Sequence, residues 1–463
     1  MHEKYGPVVR INPSELHVND PAFYHTLYTG PTRRTDKWHW SARMFGTSDA
    51  IVGTTDHALH HARKAALNPY FSKASVTKLE PLIQEKVELL CSRLKEHTSH
   101  EHEGKRHDGQ VFNLSDVFTA FSADVIGSYV FGAEYAFLSQ KDFAPELRRI
   151  MTELSRSTHL MKQVGWVFPL VMSRLGAIIR AIAACFSRPL KYLFWIRRTT
   201  QNAIIDAKTK ASRHQASKGD VSGSVMQSLM TTNTALSDHE LSINRLTDEG
   251  ITLLGAGTVT TAQTLSNTVY FLLANPPYLS RLRTELTCFY NDNPTPTWSQ
   301  LSQLPFLTAV IYEGLRLSYG VSSRLPRIAP DTELQLPTGQ FIPKGTPVSM
   351  THMFLHDDAE LFSNPLAFLP ERWLQEDGAE NPTANRKFFV PFSRGTRSCL
   401  GTNLAWAELY MVLAGLFRRT HLGGVDVALF ETVEDEVRVD RDYFNPAPRR
   451  GAVGVRVTVS RDV

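Results

Sequence analysis

The sequence predicts a mainly α-helical chain with a small β part, and three observations carry that expectation. Apolar residues recur at helical spacing through most of the first three hundred positions, and a long apolar run at 247–274 ends on Asn275-Pro276-Pro277. Beyond the N-terminal residues, strand-like patterning is confined to 334–350, punctuated by Pro337-Thr338-Gly339 and Pro343-Lys344-Gly345, and to the tail at 453–459.

Taken in order, 8–18 with its break at Pro13 reads as two short strands. Leu79, Leu82, Ile83, Val87, Leu90, Cys91 and Leu94 mark one face of a helix. The polar stretch 97–110 carries His97, His100, His102 and His107, and a solvated loop accounts for it better than a metal site, because no apolar residue would organise the ligands. Helical patterning resumes at 115–131 and continues to Arg213, and 214–224 reads as an exposed connection. Further helices are expected at about 305–317 and 404–418, the second following loop-rich sequence that ends at Gly401. No internal repeat or boundary interrupts the chain, so one domain spanning 1–463 is expected.

Of the 463 residues 42% are hydrophobic and 21% charged, and the formal charge of +4 is too small to argue for nucleic acid. The chain is long enough to enclose a buried cofactor. Cys91, Cys185, Cys288 and Cys399 are too scattered to form a disulfide framework, which fits a reducing compartment. No apolar run is long enough to span a bilayer. The nearest, at 164–186, is interrupted by Pro169, Arg174 and Arg180 and reads as a buried or membrane-facing helix pair, so membrane-surface contact is expected around 164–195. The N-terminal residues read as neither signal peptide nor anchor.

The chemistry concentrates in Phe392-Ser393-Arg394-Gly395-Thr396-Arg397-Ser398-Cys399-Leu400-Gly401. Gly395 and Gly401 suit a tight loop held close to a flat ligand. Cys399 precedes a long helix, whose N–H groups and dipole favour its thiolate. Arg397 is placed to meet a carboxylate, and Phe392 to shield the sulfur from water. By itself the loop is equally a buried cysteine in a helix-capping turn with a surface arginine.

The spacing Phe-x-x-Gly-x-Arg-x-Cys-x-Gly resembles the haem-binding signature of the cytochrome P-450 family, and all five fixed positions are present. At about one in twenty each, five such matches rarely coincide by chance. Glu313-Gly314-Leu315-Arg316 and Pro370-Glu371-Arg372-Trp373 match two further family signatures in the expected order. Glu313 and Arg316 share a helix face, and Arg372 can close an ion-pair triad with them; outside that context they would be an ordinary surface pair. The resemblance runs nearly the whole chain, and 56–72 with 356–373 is similar to filamentous-fungal members that tailor secondary metabolites.

The resemblance implies the cytochrome P-450 fold, with haem b buried between the long central helix and the helix of the Cys399 loop. It implies Cys399 as the axial thiolate and Phe392, Gly395, Arg397 and Gly401 as its cradle, with His60, Lys64 and Arg327 toward the propionates and Arg324 as fallback for Arg327. In the central helix, Ala256 and Gly257 would leave room for O2 and Thr260 would relay protons; the alternative is close helix packing and a threonine bonded to its own backbone. Val259 stands where the family usually has an acid, which removes the commonest proton donor. Phe45, Ile51, Leu253, Ala256, Val259, Val321 and Ser322 are expected to line an apolar pocket.

The function implied is monooxygenation of a small apolar molecule, a terpenoid or polyketide intermediate, with electrons from NADPH through a reductase. A peroxide-rearranging or dehydrating enzyme of the same fold, or a haem-binding carrier or sensor, are the alternatives. The resemblance further implies the cytosolic face of the endoplasmic reticulum membrane, with the family's N-terminal anchor outside this chain.

Overall fold

In the computed structural model the apolar stripe of 79–94 becomes the inner face of a helix, Lys73–Glu96, with Leu79, Ile83, Val87, Leu90 and Leu94 all buried. The structure describes residues 1–96, 110–165, 188–214, 223–232, 236–375, 378, 381, 385–418 and 425–460. Nearly all of the 97–110 histidine loop and of the 164–186 helix pair, with Cys185, therefore lies outside the described residues. Among the described residues no helix is long and apolar enough to cross a membrane.

Seven helices position the site: α1 (His57–Leu67), α2 (Lys73–Glu96), α3 (Leu114–Phe131), α4 (Pro145–Val164), α5 (Ile243–Ala274), α6 (Pro305–Ser318) and α7 (Thr402–Phe417). The expected mainly α architecture with a small β part is what forms. At 32 residues α5 is about 48 Å long. It begins four residues before the apolar run, because Ser242 caps it by accepting from the Arg245 N–H. It ends where Asn275 leaves helical geometry ahead of two prolines.

Helix α5 runs against α3 at close range because two glycines permit it. A Cβ at Gly250 would lie 2.8 Å from Phe131, and one at Gly257 would lie 2.8 Å from Ile126. The smallness of Gly257, expected to make room for O2, is thus required first by helix packing. Buried residues of α2, α3, α5, α6 and α7 form one continuous apolar core. Such burial contributes about 25 cal/mol per Å².

The main sheet has the order β1-β2-β8-β5-β3, built from Val8–Asn12, Glu15–Val18, Pro347–Ser349, Arg327–Ile328 and Asp36–Lys37. Strands β3 and β5 have only two residues each, yet their register sets Lys37 directly opposite Arg327. The intervening strands β4 (Val111–Asn113), β6 (Leu334–Gln335) and β7 (Phe341–Ile342) lie in smaller sheets. The tail strand β12 (Arg456–Ser460) pairs with β4 and with β9 (Asp426–Leu429). A hairpin unforeseen in the sequence, β10 (Arg441–Tyr443) and β11 (Asn445–Ala447), turns on Phe444 at φ 72°. Asp442 holds that turn by accepting from the Phe444 N–H and from the hydroxyls of Ser322 and Ser323.

Candidate active site

Between α5 and the loop that enters α7 lies a cavity of about 330 Å³, and Cys399, Phe392, Gly401, Ala256 and Thr260 all line it. The Cys399 loop is shaped from within: its N–H donates to Phe392 O at 2.9 Å, and Gly395 adopts φ 76°. A Cβ at Gly395 would lie 2.1 Å from the Thr29 carbonyl, so this glycine is demanded by the neighbouring chain and not by a flat ligand. Gly401 differs, having open space where a Cβ would sit and a place on the cavity wall.

Cys399 is exposed to the cavity, yet desolvation by the surrounding protein raises its thiol pKa, against the expectation that the helix terminus would win; the Gly401 N–H, the Thr402 hydroxyl and Lys64 lower it by less. Desolvation of a thiolate costs more than one helix end returns. A metal ion reverses that balance, because a coordinated thiol is deprotonated outright.

Behind this loop the expected ion-pair triad closes. Glu313 and Arg316 are both fully buried, not a surface pair. Arg316 grips Glu313 at 2.8 and 3.0 Å, Arg372 adds 3.0 Å, and the Trp373 indole and Leu369 N–H donate at 2.9 and 3.0 Å. Arg316 reaches on to the carbonyls of His356, Pro365 and Ala367, so one carboxylate and one guanidinium join α6 to the chain that leads to the Cys399 loop.

Around one rim of the cavity stand Lys37, His60, Lys64, Arg327 and Arg397. Their partners are carbonyls: Lys37 donates to Val52 O, Arg327 to Pro326 O, and Arg397 to Thr54 O and Thr55 O. Lys64 is more committed than expected, bridging to Thr396 O at 3.0 Å and Ser398 O at 2.7 Å, and so stitching α1 to the Cys399 loop. Burial pulls Arg397 down to about 9 and His60 to about 2, leaving His60 a neutral donor. Arg324, the fallback, is turned to Glu15 at 2.8 and 2.9 Å, which leaves Arg327 in the cavity.

Lys37 was not among the residues picked from the sequence, because only the β3–β5 register brings it opposite Arg327. Like charges directly opposed across a ladder are destabilising. Among the described residues no carboxylate ion-pairs with Lys37, Lys64, Arg327 or Arg397, and the Arg397 Nε is buried without a partner. Such a rim suits a ligand that brings its own anions. The cavity therefore has the thiol, the open wall and the cationic edge that haem with its two propionates requires.

On the opposite wall the Thr260 hydroxyl faces the cavity and donates to Ala256 O at 2.8 Å, while Thr264 donates to Thr260 O at 3.0 Å. The backbone-bonded alternative is therefore the observed geometry, and it leaves the Thr260 oxygen free to accept. Phe45, Ile51, Leu253, Ala256 and Val321 line the cavity as expected, joined by Met44 and Phe444. Phe45 and Phe444 meet edge to face with centroids 4.7 Å apart. Val259 and Ser322 do not line it: Val259 lies on the far face of α5, and Ser322 is bound to Asp442. A buried acid does reach the cavity, Glu408 of α7, which accepts from the Ser122 hydroxyl at 3.2 Å and whose pKa burial raises well above the usual carboxylate range. Its only sequence signal is one glutamate in an apolar helix.

The loop 47–56 ties these parts together. The Ile51 N–H donates to Glu249 at 3.1 Å, and Glu249 continues through Arg245 and Glu240 to Arg63 of α1. Its carbonyls at Val52, Thr54 and Thr55 take the rim cations, and Arg63 also donates to the Thr54 hydroxyl at 2.7 Å.

Comparison with known proteins identifies the family. Residues 1–422 match the family model described as cytochrome P-450. The chain is 40% identical to a tryptophan 6-hydroxylase of Fusarium equiseti, over all of this chain and 86% of the relative. It is 38% identical to an N-acetyltryptophan 6-hydroxylase of Emericella nidulans, with the same coverage. A conidiogenone synthase of Penicillium rubens is 35% identical, over all of this chain and 87% of the relative.

Proposed function

This chain belongs to the cytochrome P-450 family and is a haem-thiolate monooxygenase, and from that premise we propose that it hydroxylates a compact, uncharged, largely apolar molecule. The observation that carries the substrate reading is the cavity wall of Phe45, Ile51, Leu253, Val321 and Phe444, the cavity's cations being gathered on the cofactor rim. A terpenoid or polyketide intermediate fits such a wall. An indole derivative is the second reading, favoured by the Phe45–Phe444 aromatic pair and by the two tryptophan-type hydroxylases among the relatives. In either case one oxygen atom of O2 enters the substrate and the other leaves as water, with two electrons from NADPH through a partner reductase.

Haem bound through a thiolate supplies the oxygen activation. The protein's own groups do the rest. The Cys399 sulfur would be the iron ligand, with Phe392 and Gly401 beside it on the cavity wall. Lys37, Arg327, Arg397 and neutral His60 would hold the two propionates, and Lys64 fixes the loop that carries the sulfur. Thr260 Oγ1 holds a proton on the Ala256 carbonyl, which it can release toward the cavity by rotating about χ1. The apolar wall orients the substrate and excludes water. A partner reductase at the cytosolic face of the endoplasmic reticulum is part of this reading, by likeness to the family.

Spectral titration with a sesquiterpene, indole, N-acetyltryptophan and tryptophan, followed by turnover with NADPH and reductase, tests the reading. Tight binding of uncharged ligands with NADPH-dependent products is expected. Tightest binding by zwitterionic tryptophan, or products formed equally without NADPH and reductase, would refute it. A reduced carbon-monoxide spectrum unchanged by Cys399→Ala would remove the premise of thiolate ligation.

A further inference from the structure

The face of α5 turned away from Cys399 lines a second cavity, of about 130 Å³, whose other walls come from α4, the start of α3 and the β10–β11 hairpin. Val259, Gln263 and Asn267 stand on this wall, at the i, i+4, i+8 spacing of one helix face. Asn267 is only 4% exposed, yet its amide makes no hydrogen bond among the described residues, and neither does that of Gln263. Neither amide is sealed off from the cavity, so its donor and acceptor capacity is open to whatever occupies that space.

The charges nearby are already answered within the protein. Arg148 pairs with Asp116 and donates to Val453 O, and Glu436 pairs with Arg449 and the Val453 N–H. The polar end is therefore neutral, which excludes a strongly charged ligand. Opposite it lie Met151, Val437 and Pro446, an apolar end. A dry cavity of about 150 Å³ accepts a benzene ring, so this one has single-ring size.

We propose that this cavity binds an uncharged single-ring molecule bearing a carboxamide or hydroxyl group, which Asn267 and Gln263 engage while the ring packs on Val259 and Pro446. No residue of the Cys399 loop lines it, so it is a binding site and not a second reaction centre. It shares α5 with the cofactor cavity, Val259 being adjacent in sequence to Thr260. The inference stands apart from the choice of substrate.

The test uses the haem-loaded chain with the cofactor cavity closed by 4-phenylimidazole. Benzamide is then titrated and read by saturation-transfer NMR and calorimetry. Saturable one-site binding is expected, weakened about tenfold in Asn267→Leu, the effect of losing one buried hydrogen bond. Val259→Phe, which fills the cavity, is expected to abolish it. The azole titration of each variant reports that it is folded. Absence of saturable binding to the wild type would mean that water alone satisfies the amides, and would overturn the proposal. So would displacement of benzamide by the azole, or equal binding by wild type and both variants.

Discussion

Replacing Lys37 by Met is expected to move two stabilities in opposite directions. In the cofactor-free protein Lys37 opposes Arg327 across two-residue strands, and Arg327 and Arg397 join burial in holding its pKa well below the ordinary lysine value. Like charges about 6–10 Å apart at an effective dielectric near 20 repel by about 2–3 kcal/mol. Against this, the substitution forfeits the hydrogen bond to Val52 O, about 1 kcal/mol. The cofactor-free variant should therefore gain about 1–2 kcal/mol in urea unfolding. With haem bound, the same change removes a charge-assisted contact of about 1.5–3 kcal/mol, so haem should be lost about 10- to 150-fold faster to an excess of acceptor globin. Unfolding measured without haem and haem transfer measured with it are independent assays. A variant less stable without haem, and no faster to lose it, would refute a rim built for anions.

Three further outcomes follow from the same geometry. Glu313→Ala strands Arg316 and Arg372 in the interior and should cost about 3–5 kcal/mol in denaturant unfolding, whereas a loss below about 1 kcal/mol would return the triad to the class of surface pairs. Thr260→Ala should keep substrate-induced spectral shifts but lower product formed per NADPH consumed, and unchanged coupling would remove Thr260 from the proton path. His17 and His352 are each held to about 4, chiefly by burial, so the unfolded chain takes up protons first as pH falls below 6.5. Stability should then fall by up to about 1.4 kcal/mol per pH unit for each between pH 6.5 and 4, and His17→Gln should roughly halve the slope they contribute.

What could be read from the sequence was whatever depends on neighbours within a turn or two of helix. The Cys399 loop, the Glu313–Arg316 spacing and the ends of α5 are of this kind. Lys37 was not legible, because a strand of two residues carries no pattern and its pairing to Arg327 spans 290 positions. Phe444 was hidden in the same way, its turn being held by Asp442 against Ser322 and Ser323. The misplacement of Val259 was avoidable. Leu253, Gly257, Thr260, Thr261 and Thr264 recur on one face of α5, whereas Val259, Ala262, Gln263, Ser266 and Asn267 recur on the other. An acid at position 259 would thus begin on the wall of the second cavity, not beside the iron ligand. Gly395 and Gly257 show a different limit: sequence can mark a glycine, but only the fold says whether a ligand or a neighbouring chain demands it.

The doubly fastened loop 47–56 bears on how this enzyme can be re-engineered. Its amide side is fixed to the acids of α5 and its carbonyl side to the cations of the cofactor rim, so it has no free end about which a transplanted sequence could re-adjust. Gly53 adds to this, since a Cβ there would lie 2.3 Å from Thr47 O. A library that exchanges the whole loop to alter substrate choice should lose haem before it changes selectivity. One that varies only the side chains at Ile51 and Val52 leaves every backbone fastening in place, and there new selectivities should be found.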